Sequence, residues 1–151
     1  MKRVLLSMII LIIMTMAVFA GGETETTSAE PIVLRLAETH PQDYPTTQGN
    51  YEFARLVAER TDGRITIEIF HSKQLGEEKA VIEQVQFGAI DFTRVSVGPM
   101  AAFYKPFDAL QMPYLYRNGD HMWKVLMGDI GDELLGSVAD AGFIGLCFYD
   151  A

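Results

Sequence analysis

The sequence predicts an α/β fold with a mainly parallel sheet flanked by helices. Three short segments rich in branched apolar residues, 32–38, 64–70 and 89–95, are typical of strands, and the two segments between them have helical apolar spacing. This strand–helix–strand–helix–strand order implies right-handed crossovers, which place the strands side by side and parallel. At 151 residues, the chain is long enough for one domain with its own core.

The first twenty residues are typical of a secretory signal peptide. Lys2 and Arg3 precede an apolar run over 4–19, and small residues near Ala20 suit a cleavage site. An uncleaved membrane anchor is the alternative, but the run is shorter than the roughly 20 residues that a spanning helix needs. We therefore expect export to the periplasm, without membrane insertion after the leader is removed. The polar, acidic residues 21–31 then form a flexible lead-in.

The first strand and first helix are separated by a loop. Residues 32–38 alternate as a strand does, whereas residues 39–47 contain two prolines and predict a loop. Thr46 or Thr47 is expected to cap the following helix, and Gly63 to end it.

The middle of the chain repeats this pattern. Residues 64–70 alternate isoleucines with polar residues and form the clearest predicted strand. A helix over 77–87 has one apolar stripe and ends at Gly88, and residues 89–95 supply the third strand. The stripe consists of Val81, Ile82 and Val85.

The remainder of the chain predicts two helices and a last strand. The helices lie near 120–127 and 131–141, and the strand covers the apolar residues 143–149. The single cysteine, Cys147, lies within that strand and is expected to be a small buried side chain. One thiol cannot form an internal disulfide.

The chain is strongly acidic. Its formal charge is −8, and removal of Lys2 and Arg3 with the leader would make it more negative by two. Such a charge argues against nucleic acid or an anionic membrane surface as a partner. An anionic small molecule remains compatible with it, because local arginines decide that interaction.

Polar residues follow each of the three predicted strands. Glu38, His71, and Arg94 with Ser96 stand at these ends, where ligands of open α/β sheets collect. We expect them to face one crevice. A guanidinium beside an apolar strand either lines a polar site or pairs with a carboxylate, here Asp91 or Glu78. The sequence alone leaves both open.

Five ordered segments carry a resemblance to a known family. They are residues 34–41, residues 53–70, Gln74-Leu75-Gly76, Gly88-Ala89-Ile90-Asp91 and Met112-Pro113-Tyr114-Leu115-Tyr116. In this order they resemble DctP-like solute-binding proteins of tripartite ATP-independent periplasmic (TRAP) transporters, over almost the whole chain after the leader. The resemblance implies a type II periplasmic-binding-protein lobe, with residues 32–151 as the first of two lobes. The second lobe is expected to be missing from 151 residues.

The resemblance also implies a set of solute-binding residues. Side chains just after the third strand line the family's pocket, which points to Arg94 and Ser96. Glu38 and Glu78 match positions that contact solute, and His40 lies beside Glu38 on the loop. Other interpretations are a solvated strand end for Glu38, a helix-dipole interaction for Glu78 and a solvated loop residue for His40. The family's main anchor, an arginine in a glycine-x-arginine context, is expected after Ala151.

The resulting hypothesis is periplasmic capture of a small organic acid and its delivery to a TRAP permease, without catalysis, metal or cofactor. Arg94 and Glu38 together suggest a sugar acid, because they offer charge pairing and hydroxyl acceptance. Motifs of hydrolases, zinc proteases, nucleotide-binding loops and CxxC sites are absent from the sequence. The alternatives are an exported α/β enzyme with its catalytic residues in the missing half, a ligand sensor that docks on a receptor, or a truncated remnant without function.

Overall fold

A computed structural model of the chain describes residues 30–150, and they contain a three-stranded parallel sheet. The strands are β1 (Ile32–Ala37), β2 (Ile65–Phe70) and β3 (Phe92–Thr93), in the order β2-β1-β3. Ile32 pairs with Ile65 at the start of β1, and Ala37 pairs with Phe70 on one side and Thr93 on the other at its end. The predicted parallel α/β fold is confirmed. The predicted leader and most of the lead-in lie outside the described residues.

Five helices and two 3-10 segments surround or follow the sheet in the described part of the chain. The helices are α1 (Pro45–Arg60), α2 (Glu78–Gln86), α3 (Val97–Ala101), α4 (Gly119–Leu126) and α5 (Asp129–Ser137), and the 3-10 segments are Lys105–Gln111 and Val138–Ala141. Between residues 30 and 150, no helix combines the length and apolar character needed to cross a membrane.

Helix α1 begins earlier than its sequence predicts. Its N-cap is Tyr44, and Pro45 takes the first turn, where a missing N–H and a fixed φ are favourable. The prediction that Thr46 or Thr47 caps the helix is therefore wrong, and both are buried inside the first turn. The helix is closed near Gly63 as predicted, since Gly63 has a φ of 74° and its N–H donates to Ala58 O.

Strand β3 is shorter than predicted because its first residues are still bonded to helix α2. The N–H groups of Ala89 and Ile90 both donate to Gln84 O, at 2.8 and 3.4 Å. Pairing with β1 then starts at Asp91, whose N–H donates to Arg35 O at 3.2 Å and whose Oδ2 accepts from Arg35 N at 2.7 Å.

The predicted strand over 143–149 is not formed. Its alternation instead gives a two-sided segment, in which Phe143 and Phe148 pack on the core while Ile144 is 86% exposed. The segment has no strand partner among residues 30–150. Cys147 is exposed, so its predicted burial is wrong.

The core consists of two adjoining clusters. One lies between the sheet and α2 and contains Ala37, Val81 and Ile90. The other joins α2 to the later helices through the residues Ile82, Met100, Ala101, Phe107 and Val138. Since α2 contributes to both, this helix fixes the later helices relative to the sheet. Helix α5 packs closely against the end of α4. Glycine is required at position 131, because any side chain there would overlap the carbonyl group of Leu126.

Candidate functional site

The carboxyl ends of β1 and β3 bring Glu38 and Arg94 to one edge of the sheet. Ala37 and Thr93 are paired in register, so the next residue of each strand leaves the sheet beside the other. The backbone confirms this arrangement, since Arg94 N donates to Ala37 O at 3.1 Å and Glu38 N donates to Phe70 O at 2.9 Å. The two predicted site residues therefore share the edge at which ligands of parallel sheets bind.

The Glu38 carboxylate is completely enclosed and fully hydrogen-bonded. Its side chain has 0% exposure. Oε1 accepts from His40 N at 3.0 Å and lies 2.8 Å from His40 Nδ1, while Oε2 accepts from Asn50 Nδ2 at 3.0 Å and Thr46 Oγ1 at 3.4 Å. A carboxylate has about four acceptor positions, and all are used here. The interpretation of Glu38 as a solvated strand end is wrong.

His40 lies over this carboxylate with one edge of its ring directed inward. Its Nδ1 contacts Glu38, and the ring stacks on Tyr44 with centroids 4.2 Å apart and planes 8° apart. The side chain keeps 28% exposure. Within residues 30–150, no side chain or backbone group is hydrogen-bonded to Nε2. The backbone is also fixed, because His40 O accepts from Ser72 N at 2.7 Å.

Arg94, Glu78 and Ser96 form a second polar cluster on the same edge. Arg94 Nη1 lies 3.2 Å from Glu78 Oε1 and 3.4 Å from Ser96 Oγ. Glu78 Oε1 also accepts from Ser96 N at 2.9 Å and Ser96 Oγ at 2.8 Å. Of the two carboxylates considered as partners for Arg94, Glu78 is the one that pairs with it, while Asp91 bonds to β1.

The ion pair does not use the whole guanidinium group. Arg94 has a side-chain exposure of only 9%, yet its Nε and Nη2 have no acceptor among residues 30–150. A buried guanidinium normally satisfies several of its five N–H donors. Arg94 therefore retains donors that suit a carboxylate, in the planar fork geometry that binds such groups bidentately.

Glu78 and Ser96 also organise the helices around this cluster. Glu78 is the first residue of α2 and Ser96 is the N-cap of α3, so the Glu78 carboxylate accepts an N–H group at the start of α3. A negative charge is favourable at both helix starts. Two hydrogen bonds from Ser96, one from its N–H and one from its hydroxyl, thus hold the Glu78 oxygen that pairs with Arg94.

Three further residues at this edge were missed by sequence reasoning, namely Thr46, Asn50 and Tyr149. Tyr149 OH donates to Asn50 Oδ1 at 3.2 Å, which links the end of the chain to the Glu38 cluster. Asn50 and Thr46 are buried polar residues on α1 that donate to Glu38. The only available signal was the unusual run of polar residues at the start of an amphipathic helix. His71, by contrast, contacts Ser72 Oγ at 2.8 Å and joins neither cluster.

Charges of both clusters act on the Tyr149 hydroxyl. Burial, together with the negative charge of Glu38, raises the pKa of Tyr149 to about 12, while the positive charge of Arg94 opposes this shift. The edge therefore holds a buried carboxylate, a guanidinium and a phenol within electrostatic range of one another.

The raised pKa of Tyr149 predicts a loss of stability at high pH. Between the ordinary tyrosine pKa of about 10 and the folded value of about 12, the unfolded chain releases the phenolic proton while the folded chain retains it. The free energy of unfolding should therefore fall as pH rises through this window. Urea titrations at several pH values should give a shallower slope for Tyr149→Phe. An identical slope in both proteins would contradict the assignment.

The part of the chain that the structure describes contains no group of three or more His, Cys, Asp or Glu side chains placed to hold a metal ion. The chemistry available at the edge is hydrogen bonding and charge pairing with an anion that also carries polar groups.

Comparison with known proteins identifies the family. The DctP family, bacterial extracellular solute-binding protein family 7, matches residues 36–151. The chain belongs to this family. The resemblance to TRAP solute-binding proteins that the sequence motifs carry is thereby confirmed, and the matched region includes both polar clusters.

Individual relatives of this DctP-family chain bind organic acids. The C4-dicarboxylate-binding periplasmic protein DctP of Rhodobacter capsulatus is 30% identical over 81% of this chain and 37% of its own length. A TRAP periplasmic solute-binding protein from Xanthobacter autotrophicus Py2 with bound β-D-galacturonate is 40% identical, with a TM-score of 0.76. The sugar acid binding protein DctPAm from Advenella mimigardefordensis, in complex with galactonate, is 28% identical, with a TM-score of 0.77.

These matches cover most of this chain but a minor part of the relatives. The match to the Xanthobacter protein covers 78% of this chain and 40% of the Xanthobacter chain. The match to the Advenella protein covers 80% of this chain and 39% of the Advenella chain. The chain thus spans about two fifths of the length of the proteins it matches.

Proposed function

We propose that this protein captures a small organic acid in the periplasm and delivers it to a TRAP-type membrane permease. The observation that carries the proposal is the state of Arg94. It is nearly buried at the carboxyl edge of a parallel sheet, and Nε and Nη2 have no acceptor among residues 30–150. A guanidinium in this state favours a carboxylate ligand, which can accept hydrogen bonds from both Nε and Nη2.

The solute is proposed to be a sugar acid. The Ser96 hydroxyl contacts Arg94, and the Tyr149 hydroxyl and the outer edge of His40 belong to the Glu38 cluster on the same edge of the sheet. These groups suit a molecule that bears one carboxylate and several hydroxyls. Relatives with bound galacturonate and galactonate support this choice. The Rhodobacter relative, named for C4-dicarboxylates, makes a plain dicarboxylate the comparison solute for any test.

The remaining assignments follow the same proposal. Residues 1–20 act as an export signal, and residues 32–151 form the first lobe of a two-lobe binding protein that closes on its solute. In this role, Glu38, His40, Glu78, Arg94 and Ser96 contribute to the solute site directly or by positioning. No reaction is catalysed, and the solute leaves chemically unchanged. Recovery of an altered sugar acid after incubation with the protein would contradict this assignment.

Thermal unfolding with and without candidate solutes tests the proposal. The protein expressed from its complete gene should be stabilised by D-galacturonate, D-glucuronate or galactonate. At a hundredfold excess over Kd, binding adds about 2.7 kcal/mol to the free energy of unfolding, which raises Tm by several degrees. Galactose, which lacks the carboxylate, is the control and should have no effect. Stabilisation by succinate or amino acids alone, or by none of these solutes, would refute the proposed class.

A further inference from the structure

The Glu38 carboxylate has no capacity left for a solute. All four of its acceptor positions are occupied by His40, Thr46 and Asn50, and the side chain has no exposed surface. A solute hydroxyl would have to displace one of these donors and leave it buried without a partner. Because that exchange is unfavourable, a direct contact between Glu38 and the solute does not fit the arrangement.

His40 is the exposed end of this cluster. A carboxylate only accepts hydrogen bonds, so the Nδ1 that faces Glu38 carries a proton. Nε2 lies on the opposite edge of the ring and has no hydrogen-bond partner among residues 30–150, while 28% of the side chain is exposed. Stacking on Tyr44 and the bond from Ser72 N to His40 O fix the ring and its backbone.

We propose that His40 presents Nε2 to a hydroxyl group of the solute, and that Glu38 is a positioning residue that fixes the ring and its tautomer. This inference rests on the proposed function and assigns the hydroxyl selectivity of that site. It moves the hydroxyl-binding role from Glu38, which the sequence suggested, to its neighbour two residues later. Asn50 and Tyr149 extend the same positioning network, since Asn50 donates to Glu38 and Tyr149 OH donates to Asn50.

Hydrogen-bond matching explains why a hydroxyl is the fitting partner. With Nδ1 protonated, Nε2 is an acceptor in the neutral ring and a donor in the imidazolium ion. A hydroxyl group both donates and accepts, so it fits either form, whereas a carboxylate fits only the imidazolium. Arg94 and His40 thus divide the recognition, with the guanidinium taking the carboxylate and the imidazole taking a hydroxyl.

The variant His40→Asn distinguishes the role of Nδ1 from the role of Nε2. An asparagine amide N–H can replace Nδ1–H toward Glu38, but its shorter side chain has no group where Nε2 lies. For the protein expressed from its complete gene, D-galacturonate affinity should fall about tenfold, the effect of one hydrogen bond. The urea unfolding midpoint should stay close to that of the unchanged protein. His71→Asn, at the end of β2, is the matched control and should retain full affinity.

The outcomes separate this inference from the proposed function. If the unchanged protein binds no organic acid, the proposed function fails. If it binds a sugar acid, and Arg94→Gln weakens binding while His40→Asn does not, the proposed function stands and the role of His40 is refuted. Histidine side-chain 15N NMR of the unligated protein gives a second test. His40 should carry a proton on Nδ1, because this nitrogen faces the Glu38 carboxylate, and a neutral ring protonated only on Nε2 would overturn the assignment.

Discussion

Replacing Arg94 with glutamine is expected to lower the affinity for an organic acid about a hundredfold. Charge-assisted hydrogen bonds contribute roughly 1.5–3 kcal/mol each, and a neutral amide cannot reproduce the paired donors of a guanidinium. A loss of about 2.7 kcal/mol corresponds to that factor in Kd. Isothermal titration of the protein expressed from its complete gene with D-galacturonate measures the change directly.

Arg35→Gln is the matched control for this experiment. Arg35 is an exposed residue within β1, whereas Arg94 follows β3 at the carboxyl edge of the sheet. Its loss removes the same charge without touching the proposed site, so affinity should change less than twofold. Equal losses in both variants would mean that only net charge matters, and the specific role of Arg94 would be wrong.

Replacing Glu38 with alanine is expected to reduce the free energy of unfolding by about 3 kcal/mol. The substitution leaves the donors of His40, Thr46 and Asn50 without their acceptor in a buried setting, and each unsatisfied group costs about 1–3 kcal/mol. Water entering the space left by the side chain limits the total. Urea unfolding followed by circular dichroism gives the value from the shift in midpoint.

The comparison variant is Glu68→Ala. Glu68 lies on the exposed side of β2, so its removal should change the free energy of unfolding by no more than about 0.5 kcal/mol. If Glu38→Ala lowered the free energy of unfolding by no more than this control does, the hydrogen bonds of Glu38 would contribute little to stability and the prediction would be wrong. Glu38→Gln should be less harmful than alanine, because the amide oxygen still accepts from His40.

The sheet and most helices are predictable because their patterns are local. Alternation over β2 correctly indicates a strand, and the stripe of Val81, Ile82 and Val85 marks the face of α2 that packs on the core. The predicted third strand is too long at its start because the N–H groups of Ala89 and Ile90 bond back to α2. Ile90 is apolar because it fills the core beneath the sheet. The alternation over 143–149 marks a two-sided segment, and strand formation needs a partner that periodicity cannot specify.

The candidate site was predictable only in part. Strand ends identified Glu38 and Arg94, because parallel strands converge at one edge whatever their sequence. The burial of Glu38 could not be inferred, since it depends on Asn50 and Thr46 from a helix whose first turn was assigned to a loop. Tyr149 lies 99 positions after Asn50 in the sequence, and no local pattern encodes the hydrogen bond between them.

A crystal structure of the protein expressed from its complete gene, grown with D-galacturonate, tests the central claim most directly. The solute carboxylate should lie within about 3 Å of Arg94 Nε or Nη2, the distance of a charge-assisted hydrogen bond, with the Glu78 ion pair intact. A solute bound away from the carboxyl edge of β1 and β3, or an Arg94 that keeps only its contacts to Glu78 and Ser96, would contradict the account.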